Sequence, residues 1–484
     1  MVIKILLKCF TGITATLIVL GVQAQSKVFD KIIAPDGTGD YVSVATAINM
    51  SGNSRRVFFI KNGTYEEKVL IDASKTNIRL IGESVNGVII TFDDYAGKSS
   101  TSSTTADSYT VRIEGNGFYA ENITFRNTAT QAQAVAIYTK ADTIAFKNCR
   151  FYGYQDTHYA DNGRQYFLNC ETRGDVDFIF GNAAAMYDKS TIFSRSRKGG
   201  YVTAPSTTVI TSVKPGGGTD YHGIVIKNSE LKAEKGLADN SCYLGRPLGG
   251  GGSSAFINCK IGSHIKPAGW LADAGTDYLT VHFAEFNNTD SLGISINTTQ
   301  RVTWCNQLTT SDTALYNLNN FFLGWNPTIK TTALPAPLNV HIQNDSLKWN
   351  TISGVRGYAI LRNDSVIGFS INTGFSIAGK LSQNYRIKSV SQFGALSDAS
   401  SLAIPTLTKD INDINDNIYL SNGSLNVPKN EKVEIYNING MKIMTSYAQQ
   451  TIPVGQLNKG ILIIKVTLDK KGTTMIKKVV NNFL

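Results

Sequence analysis

One short phrase recurs through residues 125–170, FRNTATQAQAVAIYTKADTIAFKNCRFYGYQDTHYADNGRQYFLNC. It consists of an apolar residue, a spacer, an asparagine and a small residue, and its copies begin at Phe125, Phe146 and Phe167, 21 residues apart. Later copies begin at longer intervals, at Ile226, Phe256 and Phe286. A period of about 20 residues built from short β-prone runs is typical of a solenoid in which each repeat forms one coil. The spacing therefore predicts a parallel β-helix.

The repeated asparagines and cysteines have a structural interpretation in such a coil. Side chains at equivalent positions stack on neighbouring coils, so Asn127, Asn148 and Asn169 would form a ladder at a turn. Cys149 and Cys170 would fill the core beneath it. Ahead of the repeats, the segment YVSVATAINM (41–50) predicts a short helix that caps the open first coil, whose strand edges would otherwise be exposed.

After residue 330 the sequence predicts two small β-sandwich domains, so the whole chain is expected to be all-β. The stretch LPAP (334–337) is typical of a linker, and the strand-like runs that follow resemble a fibronectin type III-like module. An Asp/Asn-rich stretch (410–417) precedes a segment that resembles the C-terminal sorting domain of the type IX secretion system; a generic adhesive or sugar-binding sandwich is the alternative. The expected divisions are a β-helix at 26–330, the fibronectin type III-like module at 335–404 and the sorting domain at 410–484.

The formal net charge of +10 does not indicate a nucleic-acid-binding protein. Residues 26–330 are nearly balanced in charge, and no basic stripe is interleaved with aromatic residues. Residues 1–24 have the features of a signal peptide: Lys4 and Lys8, an apolar run, and a small-residue cleavage site ending at Ala24. No other apolar run is long enough to span a membrane. We therefore expect an exported, soluble monomer that does not bind nucleic acid.

Several common chemistries lack their sequence motifs. There is no G-x-S-x-G elbow, no H-E-x-x-H pair and no phosphate-binding glycine loop. The five histidines are scattered without metal-ligand spacing, and no C-x-x-C pair occurs. Five cysteines follow the predicted signal peptide, so at least one thiol must be free or pair between molecules. No metal site is predicted.

The densest group of polar residues lies in the repeat region. Asp156 and Asp177 are 21 residues apart, one coil period, so a β-helix would place them side by side on adjacent coils. Two neighbouring carboxyls push each other's pKa values apart, so one can be an ionised nucleophile and the other a protonated acid. The carboxamides of Gln133 and Gln155 can donate to an oxyanion, and Arg246 can orient a carboxylate nucleophile.

Five ordered motifs resemble the pectin methylesterase (pectinesterase) family. They are GTYEEKV (63–69), QAVAIY (133–138), GYQDTHY (153–159), GDVDFIFGNA (174–183) and YLGRP (243–247). The likeness extends over about residues 28–327. It implies a right-handed parallel β-helix that hydrolyses the methyl esters of galacturonate in pectin and releases methanol, with no metal or organic cofactor.

The resemblance also implies a role for each member of the polar group. Asp177 would be the nucleophile that attacks the ester carbonyl. Asp156 would protonate the departing methanol and then activate water. Gln133 and Gln155 would stabilise the oxyanion, and Arg246 would hydrogen-bond the nucleophile.

Substrate-binding candidates surround this group. The aromatic residues that could stack on sugar rings, with core filling as the alternative, are Tyr138, Tyr159, Phe178 and Trp270. Leu248 stands where the family usually has tryptophan, so sugar binding is expected to differ there. His158 stands where leucine is common, and one hypothesis is that it tunes the local pH response.

Two other functions are compatible with the sequence. One is an inactive β-helix that only binds polyuronate at the cell surface, and the other is a lyase or glycoside hydrolase acting on pectin. Retention of both aspartates, both glutamines and the arginine favours the esterase. A lyase commonly needs a calcium-binding aspartate cluster and a basic proton acceptor, which this sequence does not assemble.

Overall fold

The computed structural model describes residues 27–53, 56–195, 200–206, 223–272, 275–279, 281–343, 345–377, 384–405, 419–421, 424–427, 432–437, 440–447, 451–453, 460–468 and 473–481. The predicted signal peptide, residues 1–24, lies outside the described residues. No helix among those described has the length and apolar character needed to cross a membrane.

The repeat region folds into a right-handed parallel β-helix with three sheets, as the period predicts. Sheet A holds the eleven described strands Lys31–Ile33, Arg56–Ile60, Ile78–Gly82, Tyr119–Glu121, Ile144–Lys147, Arg164–Leu168, Ala184–Asp188, Ile224–Lys227, Gly252–Ile257, Val281–Phe286 and Asn306–Gln307. Sheet B holds the eight described strands Gly63–Glu66, Val88–Phe92, Thr124–Asn127, Arg150–Tyr152, Glu171–Gly174, Thr191–Ser194, Glu230–Ala233 and Lys260–Ile261. Sheet C holds the seven described strands Val69–Ile71, Val111–Ile113, Ile137–Lys140, His158–Asn162, Ile179–Gly181, Tyr201–Pro205 and Tyr243–Gly245.

The coil period sets the register inside the helix. Phe146 pairs with Phe167 on the next coil, and their rings stack with centroids 5.1 Å apart. Tyr187 continues the stack at 4.4 Å from Phe167. Cys149 and Cys170 are buried in the same core, as predicted, and all five described cysteines are free thiols. Because equivalent residues repeat at each coil, one apolar column runs along the solenoid.

The asparagine ladder forms, but its end members differ from the prediction. Asn148 donates to Asn122 Oδ1 (2.6 Å), and both have a left-handed backbone, a conformation that asparagine tolerates well. Asn127 does not belong to the ladder, because Phe125 pairs with Phe151 rather than with Phe146. A second run of side-chain bonds joins Asn287 to Asn258 and Asn258 to Asn228, and Lys189 occupies the position between Asn169 and this run. In the last copy of the repeat, Ile257 pairs with Phe286, so the residue that corresponds to Asn258 is Asn287 and not Asn288, which the sequence phrase predicts.

Short helices close and cover the solenoid. The predicted first helix is Val44–Asn49, capped by Ser43, whose side chain accepts from Thr46 N (3.0 Å). It buries an apolar face over the open first coil. The remaining described helices are the 3₁₀ turns Thr105–Asp107 and Asp312–Tyr316 and the α-helices Leu318–Phe321 and Thr328–Thr331. Apolar side chains around Tyr316, Phe321 and Phe322 cover part of the outer face of sheet A.

Two further groups of sheets follow the β-helix. The first consists of a four-stranded sheet (Gly374–Ser376, Ser346–Lys348, His341–Gln343, Ile404–Pro405) and a three-stranded sheet (Ser365–Ser370, Val355–Arg362, Tyr385–Ser391). The second consists of a three-stranded sheet (Tyr419–Ser421, Ser424–Asn426, Thr451–Pro453) and a four-stranded sheet (Lys442–Tyr447, Lys432–Asn437, Gly460–Leu468, Thr473–Asn481). The predicted all-β fold class is therefore confirmed.

The first of these groups packs directly on the outer face of sheet A. Phe369 makes edge contacts with Phe29 and Phe59, with centroids 4.9 Å apart in both pairs. Beside them, Arg356 forms an ion pair with Asp30 at 2.7 Å. Burial of apolar surface is the main stabilising term in such contacts. The β-helix and this group of sheets thus share one hydrophobic cluster.

Hydrogen bonds reinforce the same junction. Arg79 Nη1 donates to the carbonyl of Gln392 (3.0 Å), and Leu396 N donates to Glu121 Oε2 (3.3 Å). Glu121 is buried and also pairs with Lys147 at 3.3 Å. Because buried polar groups are costly unless they are paired, these contacts fix the orientation of the two parts.

Candidate active site

The predicted polar group lies in a pocket on the outer face of sheet C. The pocket is lined by Thr104, Thr105, Ala106, Gln133, Gln155, Asp156, Tyr159, Asp177, Phe180, Arg246 and Leu248. These residues come from separate stretches of the chain that the coil geometry brings together. All five predicted catalytic residues are among them.

Asp156 and Asp177 occupy equivalent positions on adjacent coils. His158 pairs with Ile179 in the strands that follow, so the offset between the two aspartates is one coil. Both aspartates have positive φ, 65° and 48° respectively. Such backbone conformations cost about 1–3 kcal/mol and cluster at functional sites. Here they turn two carboxyls toward the pocket just before each strand enters sheet C.

Arg246 holds the carboxylate of Asp177 with two hydrogen bonds. Its Nε lies 3.0 Å from Oδ1 and its Nη2 lies 2.7 Å from Oδ2. Bidentate arginine–carboxylate pairs fix orientation as well as charge. The guanidinium also lies over the ring of Tyr201, 5.0 Å from its centroid. The pair is set into the pocket wall, and Asp177 is only 5% exposed.

Asp156 has a very different electrostatic environment. Burial raises its pKa, the negative charge of Asp177 raises it further, and the total effect brings it to about 8 although Arg246 lowers it. The carboxyl of Asp156 is therefore protonated at neutral pH. The pocket thus contains a carboxylate paired with arginine and, one coil away, a carboxylic acid that can donate a proton.

The two glutamines reach the pocket from neighbouring coils, and backbone hydrogen bonds fix their positions. The carbonyl of Gln155 accepts from Ala134 N (3.1 Å), and the carbonyl of Gln133 accepts from Ala96 N (2.9 Å). Their carboxamide groups are the neutral donors of the pocket. Preorganised donors of this kind stabilise developing negative charge.

Three stacked rings form one wall. Tyr159 lies between Tyr138 and Phe180, with centroids 4.6 Å and 4.3 Å away. Tyr159 and Phe180 line the pocket, whereas Tyr138 is buried behind Tyr159 and donates to Asp161 Oδ2 (2.7 Å). Tyr138 therefore supports the wall from behind.

Comparison with known proteins shows the family to which the chain belongs. The family model described as Pectinesterase matches residues 30–324. The chain belongs to the pectinesterase family. A probable pectinesterase/pectinesterase inhibitor from Arabidopsis thaliana is 33% identical over 317 residues, which cover 63% of this chain and 54% of that protein. The chain thus spans about half the length of the curated relatives it matches.

Solved structures agree with the assignment to the pectinesterase family. Pectin methylesterase from carrot is similar at 34% sequence identity and a TM-score of 0.55, covering 61% of this chain and 93% of that one. A pectin methylesterase crystallised with a hexasaccharide matches at 28% identity and a TM-score of 0.52, covering 62% and 98% of the two chains. The family match covers residues 30–324, which include every residue that lines the pocket.

Phe178 and Trp270, which the sequence predicts to bind substrate, do not line the pocket. Phe178 and Trp270 are fully buried in the β-helix core, so neither ring can stack on a sugar. The left-handed turn at Asp177 sends Phe178 inward, and the strand that follows points Phe180 outward instead. The sequence signal for Phe180 was the alternation within its own strand, where Ile179 points into the core and Phe180 points outward.

Residues 104–106 form a pocket wall that the sequence did not predict. Lys68 supports this turn: its ammonium donates to the carbonyl of Asp107 (2.8 Å) and pairs with Asp94 at 2.6 Å. Ser102 Oγ donates to the same Asp94 carboxylate (2.6 Å). No local pattern predicts such a wall, because the turn has no repeat and its partners lie on other coils.

Leu248 and His158, the two departures from the family pattern, have different surroundings. Leu248 lines the pocket and packs against the cluster that includes Phe180. His158 is buried in the core, hydrogen-bonded to Thr139 Oγ1 (3.1 Å) and to the hydroxyl of Tyr187. Burial lowers the pKa of His158 to about 3, so the ring stays neutral and cannot supply the hypothesised pH response.

The described residues were compared with the side-chain groupings that bind metal ions. Within the described parts of the chain, no three His, Cys, Asp or Glu side chains are grouped so that they could hold a metal ion. The chemistry available in the pocket is that of its carboxyls, carboxamides and guanidinium.

Proposed function

We propose that this chain is a carboxylic ester hydrolase that cleaves the methyl esters of galacturonate in pectin, giving pectate and methanol. The observation that carries the proposal is the pairing of Asp177 with Arg246 beside a second carboxyl, Asp156, whose pKa is raised to about 8. Membership of the pectinesterase family supports it.

In the first half-reaction the Asp177 carboxylate attacks the ester carbonyl. The negative charge that develops on the carbonyl oxygen accepts hydrogen bonds from Gln133 and Gln155, each of which typically contributes about 3–4 kcal/mol in such sites. Asp156 gives its proton to the departing methoxy oxygen, so methanol leaves as a neutral molecule. The product is an anhydride between Asp177 and the uronate.

In the second half-reaction water opens the anhydride. Asp156, now ionised, takes a proton from the water as its oxygen attacks the uronate carbonyl. The bond to Asp177 breaks, which regenerates the carboxylate held by Arg246 and releases the uronic acid, whose proton passes to the solvent. Both groups return to their starting protonation states. All steps use side chains of this chain, so activity should persist in a chelator.

The aromatic wall suggests how the polymer lies in the cleft. Tyr159 and Phe180 present apolar surface to the pocket, which suits contact with pyranose rings and a methyl ester. A related pectin methylesterase has been crystallised with a hexasaccharide. Leu248 offers a smaller apolar contact than a tryptophan would, so we expect weaker binding at that point of the wall.

The test is methanol release from highly methylated pectin by the full-length protein. Asp177→Asn should abolish release, whereas Glu230→Gln, at a half-buried position on sheet B outside the pocket, should not change it. Release by the wild type should be the same with and without chelator. A folded wild type that releases no methanol but still binds pectin would contradict the esterase and favour the polyuronate-binding alternative.

We further propose that the flanking segments export and position the enzyme. Residues 1–24 would act as a signal peptide, residues 335–404 as a fibronectin type III-like spacer, and residues 410–484 as a sorting domain of type IX secretion. The proposal is supported by the sequence motifs and by the strands that form two small sheets within 419–481.

Deleting residues 410–484 tests the export proposal. The shortened protein should keep its esterase activity in cell extracts but fail to reach the outer surface or the medium. Delivery of the shortened protein in the normal amount would overturn this assignment.

A further inference from the structure

The outer face of sheet B carries a row of alternating cations and aromatic rings. Strand register places Arg126 opposite Tyr152, and Tyr152 opposite Arg173, on successive coils. Phe193 and Lys232 continue the row on the next two coils. The residues that precede these five on their strands are buried, so the members of the row point outward. None of the five lines the pocket, and consecutive members lie a full coil apart along the chain, which hides the row in the sequence.

Cation–π contacts hold the middle of this row in place. The guanidinium of Arg173 lies between two rings, 4.9 Å from the centroid of Tyr152 and 4.4 Å from that of Phe193. Glu171 forms an ion pair with Arg173 and accepts from the Tyr152 hydroxyl (3.0 Å). All three members of this stack are half-buried, so each presents a surface to solvent. Because they are already ordered, little side-chain freedom would be lost when a ligand binds.

Cations outnumber carboxylates on this face. On the strands of sheet B from Thr124–Asn127 to Lys260–Ile261, the outward-facing charged side chains are five cations, Arg126, Arg150, Arg173, Lys232 and Lys260, and two carboxylates, Glu171 and Glu230. The carboxylates pair with three of the cations. Arg126 and Lys260 have no carboxylate partner among the described residues, and Arg126 Nε donates instead to Thr91 Oγ1 (3.1 Å). The excess of positive charge favours an anionic partner.

The spacing of the row distinguishes between polyanions. Neighbouring coils are about 4.8 Å apart, so Arg126, Arg173 and Lys232, which lie on every second coil, are roughly 10 Å apart. A nucleic-acid strand carries one charge per about 3.4 Å and would leave most of its phosphates unpaired on this row. A galacturonate residue is about as long as one coil spacing. Every second residue of a polyuronate would therefore meet a cation, and the residue between would meet a ring.

We propose that this row is a second polysaccharide-binding face, on which partly de-esterified pectin lies parallel to the axis of the solenoid. Free carboxylates would pair with the three cations, and pyranose faces would pack on Tyr152 and Phe193. The inference rests on the proposed function for the identity of the polymer. Bound on this face, the chain would remain on pectin that it has already de-esterified while the pocket acts on a neighbouring polymer.

The test measures the binding of long polygalacturonate to the full-length chain carrying Asp177→Asn, so that hydrolysis does not accompany binding. Adding Arg126→Gln and Lys232→Gln should weaken binding roughly tenfold, with a difference that shrinks at high salt. Lys232 is exposed, so Lys232→Gln alone provides a variant that keeps the fold and should retain part of the loss. The matched control is Lys348→Gln, an exposed lysine on the group of sheets that follows the β-helix, which should not change binding.

A competition experiment separates this face from the pocket. A short, fully methylated oligogalacturonate at saturating concentration should leave most of the polymer bound, and complete displacement would overturn the second face. Unchanged affinity in the Lys232→Gln chain, or tighter binding of single-stranded DNA than of polygalacturonate, would overturn it as well. These outcomes do not depend on methanol release, whose absence from the wild type would count against the esterase alone.

Discussion

Two carboxylate–arginine pairs in the β-helix have nearly the same geometry and different surroundings. Asp177 and Arg246 form a bidentate pair in the wall of the cleft. Glu285 and Arg301 form another near the C-terminal end of the solenoid, with Nε at 2.7 Å and Nη2 at 3.1 Å from the two carboxylate oxygens. Both carboxylates are almost fully buried.

The neighbours of the two pairs distinguish them. Glu285 also accepts from Trp270 Nε1 (3.2 Å) and Asn288 Nδ2 (3.3 Å), and none of these groups lines the pocket. Asp177 instead faces the pocket beside Asp156 and has a left-handed backbone. An ion pair alone therefore does not mark an active site; what sets Asp177 apart is a second carboxyl in the same pocket, Asp156, whose pKa is raised to about 8.

Replacing the arginine of the cleft pair gives the largest expected effect on activity. Arg246→Met leaves the Asp177 carboxylate without its orienting partner, and we expect kcat to fall by roughly 10²–10³-fold. Stability should fall less than at the enclosed pair, because Arg246 is half-buried at the pocket and its removal lets water reach the Asp177 carboxylate. The measurement is initial-rate methanol release beside a thermal melt. If this variant keeps a near-normal kcat, the Asp177–Arg246 pair is structural like the Glu285–Arg301 pair and does not take part in catalysis.

The same substitution at the enclosed pair should affect stability instead. Arg301→Met leaves Glu285 charged in a closed environment, and removing one partner of a buried pair costs about 3 kcal/mol or more. Denaturant unfolding should show this loss, whereas kcat of the folded fraction should stay at the wild-type value. A fall in kcat without a fall in stability would mean that this pair takes part in the reaction.

The pH dependence of stability tests the environment of Asp156. Because the pKa of this carboxyl is raised from 3.8 to about 8 by folding, the folded state binds its proton more tightly. The free energy of unfolding should therefore fall as the pH rises from about 4 to about 8. Asp156→Asn should remove this decline and be more stable than the wild type at pH 8, by roughly 5 kcal/mol.

Denaturant titrations of both proteins at pH 5 and pH 8 measure the effect. The variant should also lose esterase activity, because it has no proton to donate. Parallel pH profiles of stability for the two proteins would show that Asp156 is not perturbed in the folded state.

His158 provides the smallest expected effect on activity. Its ring is enclosed and has a lowered pKa, like a functional group, but it does not reach the pocket. His158→Leu should leave the activity–pH profile in place and reduce stability by about 1–2 kcal/mol, since Thr139 and Tyr187 lose hydrogen-bond partners. A shift of the activity–pH profile in this variant would contradict the prediction and show that His158 affects the titration of the cleft from within the core.

The sequence predicted the parts of the molecule that depend on the coil period. A separation of 21 residues was enough to place Asp156 beside Asp177, because each coil is one register step. The period does not give the direction of side chains at a turn. The left-handed turn at Asp177 points Phe178 into the core, so the ring in the pocket is that of Phe180 and not of Phe178.

Other features depended on contacts that no local pattern encodes. Trp270 lies close in sequence to cleft motifs, yet its indole donates to a buried glutamate. The wall at 104–106 depends on Lys68, which is distant from it along the chain, and on Asp94, which lies in an irregular segment.

The hydrophobic cluster shared by sheet A and the sheets that follow it means that neither part can be removed without exposing apolar surface on the other. A β-helix cut at the 334–337 linker would expose Phe29, Phe59 and the unpaired Asp30 to water. Such an apolar face favours self-association, so the shortened protein should precipitate at concentrations that the whole chain tolerates. Replacing the sheets that carry Phe369 with those of another protein would likewise require compensating substitutions at Phe29 and Phe59. The β-helix and these sheets are therefore expected to evolve together.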